Sequence, residues 1–419
     1  MSRDLKHINH EAFSRDVQSS TLPSSDDVNE LTNYFNGEMS TIIDKHAPLR
    51  QRQVSRRKPA PWISSKVKEI KRQRRRAERK WRKTKLHVHR QLYQLKNFEF
   101  QEVIANEKRS YCISKIKECK TSKALYSITN ELSGKTFDTV LPNNIAKENL
   151  PDEFCKFFNE KIEKIRKDLD IYNKAPIFVP YTGQFMTTFT PVSEDFVKDI
   201  IMSSNTKSCD LDPMPTEMLK QNIDFLIKPI THIINTSLKK GIVPVEFKKA
   251  ILSPLIKKAN LDQNSLRNYR PVSNLAFLSK ILEKVVRSQL KDHLNENQLH
   301  ELFQSAYKEN HSTETAMLKI LNDLLNSADK GEITILSLLD LSAAFDTIDH
   351  DIMLTRLSTS FGIEGVALQW FKSYLTGRTF SITIDDVSSS QYTLKFGVPQ
   401  GLYWAQSSTP CTHNHWEML

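Results

Sequence analysis

Between Arg52 and Arg90 the chain places seventeen lysines and arginines against only Glu69 and Glu78. No hydrophobic core accepts such a stretch, because an unpaired buried charge costs more than packing returns. The segment nets +15, which leaves −4 for the remainder of a chain whose formal charge is +11. The basic character therefore belongs to one segment. "PWISSKVKEIKRQRRRAERKWRK" opens with Pro61 near a first helical turn, and Trp62, Val67, Ile70, Ala77 and Trp81 interrupt the charge. Further apolar positions continue through Leu92, Leu95, Val103, Ile104, Tyr111, Ile113 and Ile116, so the spacing predicts a long helical hairpin or arm over about 61–132, ended by Ser133-Gly134.

Like charges at i and i+4 destabilise a helix unless something neutralises them. The bland alternatives are a solvated helix face or an import signal. The density of Arg72, Arg74, Arg75, Arg76, Arg79, Lys80, Arg82 and Lys83 favours phosphate contact instead, since many cations releasing many counterions bind RNA or DNA without regard to sequence. The expected partner is RNA and/or DNA through residues 52–90, with no specific protein partner. No run of 18 apolar residues exists, so no membrane span is expected. The N-terminus lacks an apolar signal region, and the five cysteines form no CxxC pair. An intracellular protein, nuclear or cytoplasmic, is the expectation.

Only ten glycines occur in 419 residues, which favours helices over a glycine-turned all-β fold. Before the basic run, Val28, Leu31, Phe35, Met39, Ile42 and Ile43 mark one amphipathic helix that Pro48 ends. Residues 136–191 read as a linker with one helix, carried by Phe154, Phe157, Phe158, Ile162 and Ile165. From about residue 192 the pattern is that of a packed domain. "AILSPLIKK" is strand-like. "SKILEKVVRSQLKDHL" presents Ile281, Leu282, Val285, Val286, Leu290 and Leu294 on one buried face, and "TETAMLKILNDLLNSADKG" repeats that design with Ile320, Leu321, Leu324 and Leu325 before Gly331.

"ITILSLLDLSAAFDTIDH" then carries the chemistry. Its apolar start reads as a buried strand that delivers Asp340 at its C-terminal edge. A carboxylate there is expensive unless it holds a cation or a partner. Asp346, Asp349 and Asp351 read differently, as caps and dipole partners of a following helix.

At this point the chain resembles the reverse transcriptases of non-LTR retrotransposons. "NYRPVSNLAFLSKILEKVV", "FQSAYKENHSTETAML", "DLSAAFDTIDH" and "FGVPQG" stand in that family's order, and "KSCDLDPMPTEMLK" and "FKKAILSPLIKK" are similar upstream. The basic stretch is similar to the segment joining endonuclease to polymerase in such elements. The resemblance implies an α+β chain: a helix-rich basic arm over 1–135, the linker over 136–191, right-hand polymerase fingers over 192–332, an incomplete palm over 333–401 and a divergent tail over 402–419.

The resemblance also implies roles. Asp340 matches the first metal-binding aspartate, which serves two Mg²⁺ ions in nucleotidyl transfer. Phe345 matches the bulky residue that crowds the sugar 2′ position. Arg270 matches a fingers residue on the incoming triphosphate, where a guanidinium pairs with phosphate oxygens; Lys257 and Lys258 would assist. Gln400 matches a residue near nucleotide and template. After Gly401 the sequence departs from the family pattern, reading "LYWAQSSTPCTHNHWEML" where a small-apolar helix is usual. The family's paired aspartates follow that helix and have no match here. The expectation is therefore a nucleic-acid-binding chain with an incomplete metal site. The alternatives are an active polymerase that receives carboxylates from elsewhere, and a helical interaction protein without enzymatic activity. Asp385-Asp386 precedes the GVPQG block and reads as turn chemistry. Cys411, His413 and His415 do not have a zinc-site spacing.

Overall fold

A computed structural model describes residues 3–50, 60–119, 125–126, 128–130, 141–170, 178–258, 260–300, 305–306, 308, 310–338, 343, 345–385 and 387–398. Two compact units divide the chain: residues 51–140 form one, and residues 1–50 with 141–419 form the other. This division differs from the expected arm over 1–135. Helices α1 (His10–Ser19) and α2 (Val28–His46) bury Phe13, Val17, Leu31, Phe35, Met39 and Ile43 in the core of the larger unit. A face that apolar must pack on other apolar surface, so only the charged segment stands as a unit of its own.

That smaller unit is a helical hairpin. Ser64 caps α3 (Ser65–Thr84) by accepting from Val67 N, and Lys85 closes it in the left-handed region at φ 55°. Helix α4 (His87–Lys117) follows at once. The two run antiparallel, as three pairings show. Trp81 stacks on Tyr93 with ring centres 5.5 Å apart, Arg74 lies 4.7 Å over Phe100, and Trp62 meets Tyr111 at 6.1 Å. The expected stop at Ser133-Gly134 lies outside the described residues.

The larger unit mixes helices with one small sheet, an α+β arrangement. Helix α5 (Leu150–Asp170) opens its second stretch of chain. Leu150, Phe154 and Cys155 of α5 are fully buried, so the segment read as a linker contributes to the core. Helices α6 (Glu194–Ser203), α7 (Thr216–Gln221) and α8 (Ile223–Lys240) precede strands β1 (Lys249–Ile256) and β2 (Tyr269–Leu275). These strands pair antiparallel, Ala250 opposite Leu275 and Ile256 opposite Tyr269. Helix α9 (Phe277–Glu296) buries all six residues its spacing selected. After α10 (Thr313–Asp329), α11 (His350–Thr359) and α12 (Gly365–Leu375), strand β3 (Thr379–Ile384) joins β1 in parallel. Two-residue strands β4 (Val387–Ser388) and β5 (Tyr392–Thr393) return along β3. Phe380, Ile382 and Ile384 are buried in alternation. At the β3–β4 turn Asp385 adopts φ 47° and pairs with Lys147 at 3.3 Å, which is turn chemistry; Asp386 lies outside the described residues.

One expectation is overturned. Ile333 to Leu338 form no strand, and Ile333, Ile335 and Leu338 are 95%, 88% and 83% exposed. Helix α10 forms, with a capping box between Ser312 and Thr315 and Gly331 after its end at φ 74°, yet Leu321 and Leu325 on its apolar side stay exposed. The physical reason is the same for both. A strand buried on both faces needs neighbours at its edges, and among the described residues no strand flanks 333–338.

Candidate functional site

The segments around two of the resembling blocks meet through their backbones. After Ala343, which sits at φ 55°, a tight turn brings Asp346 N to Ala343 O at 2.8 Å. The strap Phe396-Gly397-Val398 lies along this turn. Val398 N donates to Phe345 O at 2.8 Å, Gly397 N donates to Ile348 O at 2.7 Å, and His350 Nε2 is 2.8 Å from Gly397 O. Gly397 has φ 79°, and a Cβ there would stand 2.6 Å from the carbonyl oxygens of both Phe345 and Asp346. The sequence needs glycine at this position for two separate reasons, backbone conformation and space.

Helix α5 braces the same place from outside the resembling blocks. Arg166 Nη2 donates to Asp349 Oδ2 at 2.5 Å, and its guanidinium lies 4.6 Å over the Phe396 ring. Asp349 also caps α11, accepting from Asp351 N and Ile352 N. Its carboxylate is thus committed to three donors, which supports the capping role read for it. Asp351 lies in the first turn of α11. Asp346 precedes the helix and lines a cavity.

That cavity, about 40 Å³, lies between Asp346, Phe396 and Val398 on one side and Leu252, Ser273 and Phe380 of the sheet on the other. Arg378 forms part of its wall. The Arg378 side chain is almost fully buried, donates from Nη1 to Tyr374 O at 3.1 Å, and lies over the Tyr374 ring. Tyr374 in turn donates its hydroxyl to Glu283 Oε1 at 3.0 Å. Burial pushes the Glu283 carboxyl up to about 7, against the opposing pull of Arg378 and the Tyr374 bond. Glu283 Oε2 and Arg378 Nη2 make no hydrogen bond among the described residues. A half-buried carboxylate sets the start of α9: Asp212 accepts from Phe277 N at 2.5 Å and from Cys209 N at 2.7 Å. Desolvation raises its pKa despite those bonds.

The expected site residues fall into three groups. Phe345 is partly buried against the core beside the strap. Arg270, Lys257 and Lys258 gather at the far end of the β1–β2 pair, where Arg270 lies opposite Leu255. Pro271 and Ser273 face the cavity, so strand alternation directs Arg270 to the other face. Lys257 donates to Arg267 O at 2.8 Å. Asp340 and Gln400 lie outside the described residues. In the separate hairpin, Arg72, Arg75, Arg76, Arg79, Lys80, Arg82 and Lys83 are exposed, while Arg74 is half-buried on Phe100.

Among the described residues no three His, Cys, Asp or Glu side chains gather as a metal group. Reverse transcriptases generally use divalent metal ions. Asp349 is engaged by its cap and by Arg166, and the expected ligand Asp340 lies outside the described residues. Sequence reasoning does not single out Arg166, Arg378, Glu283 or Asp212. Only Asp212 carries a local signal, its place in the turn-rich "DLDPMP".

Comparison with known proteins agrees with the resembling blocks. Residues 256–409 match the family model described as reverse transcriptase (RNA-dependent DNA polymerase). The chain is 25% identical over 406 residues to the RNA-directed DNA polymerase from mobile element jockey of Drosophila funebris, covering 91% of this chain and 42% of that protein. It is 24% identical over 254 residues to the probable RNA-directed DNA polymerase from transposon X-element of Drosophila melanogaster, 60% of this chain and 27% of that one. Over 176 residues it is 30% identical to the transposon TX1 uncharacterized 149 kDa protein of Xenopus laevis, 41% of this chain and 13% of that one. The chain thus spans less than half the length of the relatives it matches. Residues 256–409 thus match the reverse transcriptase family model, and the chain resembles the RNA-directed DNA polymerases of non-LTR retrotransposons.

Proposed function

We propose that this chain binds nucleic acid through its basic hairpin and does not perform nucleotidyl transfer by itself. The observation that carries the first part is α3. Eleven lysines and arginines stand on 20 residues against Glu69 and Glu78, and all but Lys71 and Arg74 are exposed. Cations held in that density on a formed helix are matched to phosphates. Fluorescence anisotropy with labelled RNA and DNA at low salt tests it. Binding that weakens steeply with salt, and weakens again in an Arg75→Glu/Arg76→Glu/Arg79→Glu variant, is expected. Undetectable binding at low salt would move the reading to a helical interaction protein.

The second part rests on carboxylates. In the family, Mg²⁺ ions held by Asp340 and a later aspartate pair would activate the primer hydroxyl and steady the leaving pyrophosphate. In this sequence Asp340 is the match to the first of these. Asp349 is held by Arg166, and Asp385 sits at the β3–β4 turn in an exposed pair with Lys147. Primer extension on an RNA template with Mg²⁺ should give no incorporation above background. Incorporation that disappears in Asp340→Ala would defeat this reading and favour an active RNA-directed DNA polymerase that receives carboxylates from another chain.

A further inference from the structure

We infer that the basic hairpin takes double-stranded nucleic acid, read through its phosphate backbone, in preference to single strands. This rests on the nucleic-acid reading above and narrows it. Proteins that hold single strands without sequence preference combine a cationic track with aromatic side chains on which unstacked bases lie. The sequence of α3 offers both ingredients, since tryptophans interrupt its charge. The structure separates them. Trp81 is turned onto Tyr93 and Trp62 onto Tyr111, with Lys108 over the Trp62 ring at 5.3 Å. Phe100 is buried beneath Arg74. These rings form the seam of the hairpin, where Phe100 is buried and the others are partly buried against one another.

The opposite side of α3 is dominated by cations, with Glu69 its one acidic residue. At 100° per residue, Lys68, Arg72, Arg75, Arg76, Arg79, Lys80, Arg82 and Lys83 fall within an arc of roughly 160°, away from Val67, Ala77 and Trp81. Ion pairs dilute this face little: Arg72 meets Glu69 at 3.6 Å and Arg82 meets Glu78 at 2.7 Å, both with exposed arginines. Among the described residues of this unit the exposed aromatics are Phe98 and Tyr126. Phe98 lies on α4 about 140° from Tyr93, so it faces away from the seam and from α3.

The row is also rigid and of suitable length. From Lys66 to Lys83 the helix rises roughly 25 Å at 1.5 Å per residue, somewhat less than one duplex turn of about 34 Å. A duplex offers a charge every ~1.7 Å of its axis, a rod of fixed phosphates for a rod of fixed cations. A single strand must be ordered to match it, and the cationic face of α3 offers its bases no aromatic ring to stack on. Repulsion between Arg72 and Arg76, Arg75 and Arg79, and Arg76 and Lys80 at i,i+4 is relieved by either ligand, so it adds affinity without choosing between them. The choice comes from the cationic face of α3, which carries no tryptophan, tyrosine or phenylalanine among its residues.

The test is competition anisotropy with the full chain, using a 20-base-pair RNA–DNA hybrid, the matching DNA duplex and a 20-nucleotide oligo-dT. Either duplex should bind at least tenfold more tightly than oligo-dT at equal salt. The slope of log K against log salt on the DNA duplex should fall by about 0.9 for each of Arg75, Arg76 and Arg79 changed to Gln. Phe98→Ala should leave both affinities unchanged. Circular dichroism of the glutamine variant confirms that the helices persist, so a loss of slope reports lost contacts. Oligo-dT binding equal to or tighter than duplex, and still dependent on the three arginines, would overturn the duplex inference while leaving nucleic-acid binding intact. Binding to none of the three ligands would overturn both.

Discussion

The backbone N–H of Val398 donates to the carbonyl oxygen of Phe345 at 2.8 Å, so two blocks separated by 53 positions in the sequence share one short stretch of main chain. Gly397 makes that approach possible. Gly397→Ala should destabilise the larger unit by well over the ~1–2 kcal/mol of a left-handed alanine, because its Cβ would also meet two carbonyl oxygens at 2.6 Å. Gly377 supplies the control. It has φ 68°, and a Cβ there would meet nothing within 4 Å, so Gly377→Ala should cost only the conformational part. Urea unfolding of both variants against the parent separates the two contributions. Equal losses would mean that the strap can shift and that the contact is not limiting.

Arg166 joins α5 to both sides of this contact, pairing with Asp349 and covering Phe396. Both partners of the ion pair are largely buried, at 20% and 19% side-chain exposure. Arg166→Ala should cost about 2 kcal/mol, from one charge-assisted hydrogen bond and one cation–π contact. Arg166→Lys should recover only part, since an ammonium cannot both pair with the carboxylate and lie flat on the ring. Hydrogen exchange gives the local readout. The amides of Gly397 and Val398 should lose protection in Arg166→Ala more than those of α9 do. Uniform loss across the unit would show that Arg166 stabilises the fold without positioning the strap.

How much of this is legible in the sequence depends on distance along the chain. The faces of α2, α9 and β3 follow from periodicity, because residues three, four or two apart decide them. Arg166 and Asp349 are 183 positions apart, and nothing in "KIEKIRKDL" marks one cation among several. Residues 1–50 read as part of the arm because they adjoin it, although Phe35 and Met39 already call for a core. Trp62 and Trp81 are visible in the sequence, but only the hairpin register shows that they face inward.

The buried carboxyl of Glu283 makes stability depend on pH. Its folded-state pKa lies near 7, above the ordinary glutamate value of 4.5, because desolvation disfavours the charged form. A raised folded pKa stabilises the fold fully below the unfolded value, and the contribution is lost as pH rises through the folded value. Stability from this group should therefore decline between about pH 4.5 and 7 and level off above. Arg378 and Lys280 face the carboxyl with positive charge and oppose the shift, while Tyr374 bonds the same carboxyl. Glu283→Gln keeps a hydrogen-bond acceptor for Tyr374 and removes the titration. Urea midpoints at pH 5, 6, 7 and 8 should slope less in Glu283→Gln than in the parent. Parallel slopes would place the pH dependence elsewhere.

The apolar run from Ile333 to Leu338 shows what periodicity and composition leave undecided. An apolar segment declares that it should be buried; whether a neighbour covers it depends on the rest of the assembly. Here Met317, Leu318, Leu321 and Leu325 of α10 and Ile333, Ile335, Leu336 and Leu338 are all more than half exposed. Exposed apolar surface of that extent is uncommon on a stable monomer, and backbone outside any ladder is open to a protease. Limited proteolysis with a protease that cuts after leucine should cleave first within 332–338, and the chain should enhance the fluorescence of an apolar dye such as bis-ANS. Leu321→Lys/Leu325→Lys should lower the dye signal without lowering the unfolding midpoint, since neither side chain is buried. A protected 332–338 segment together with a loss of stability in that double variant would mean that this surface is covered in solution.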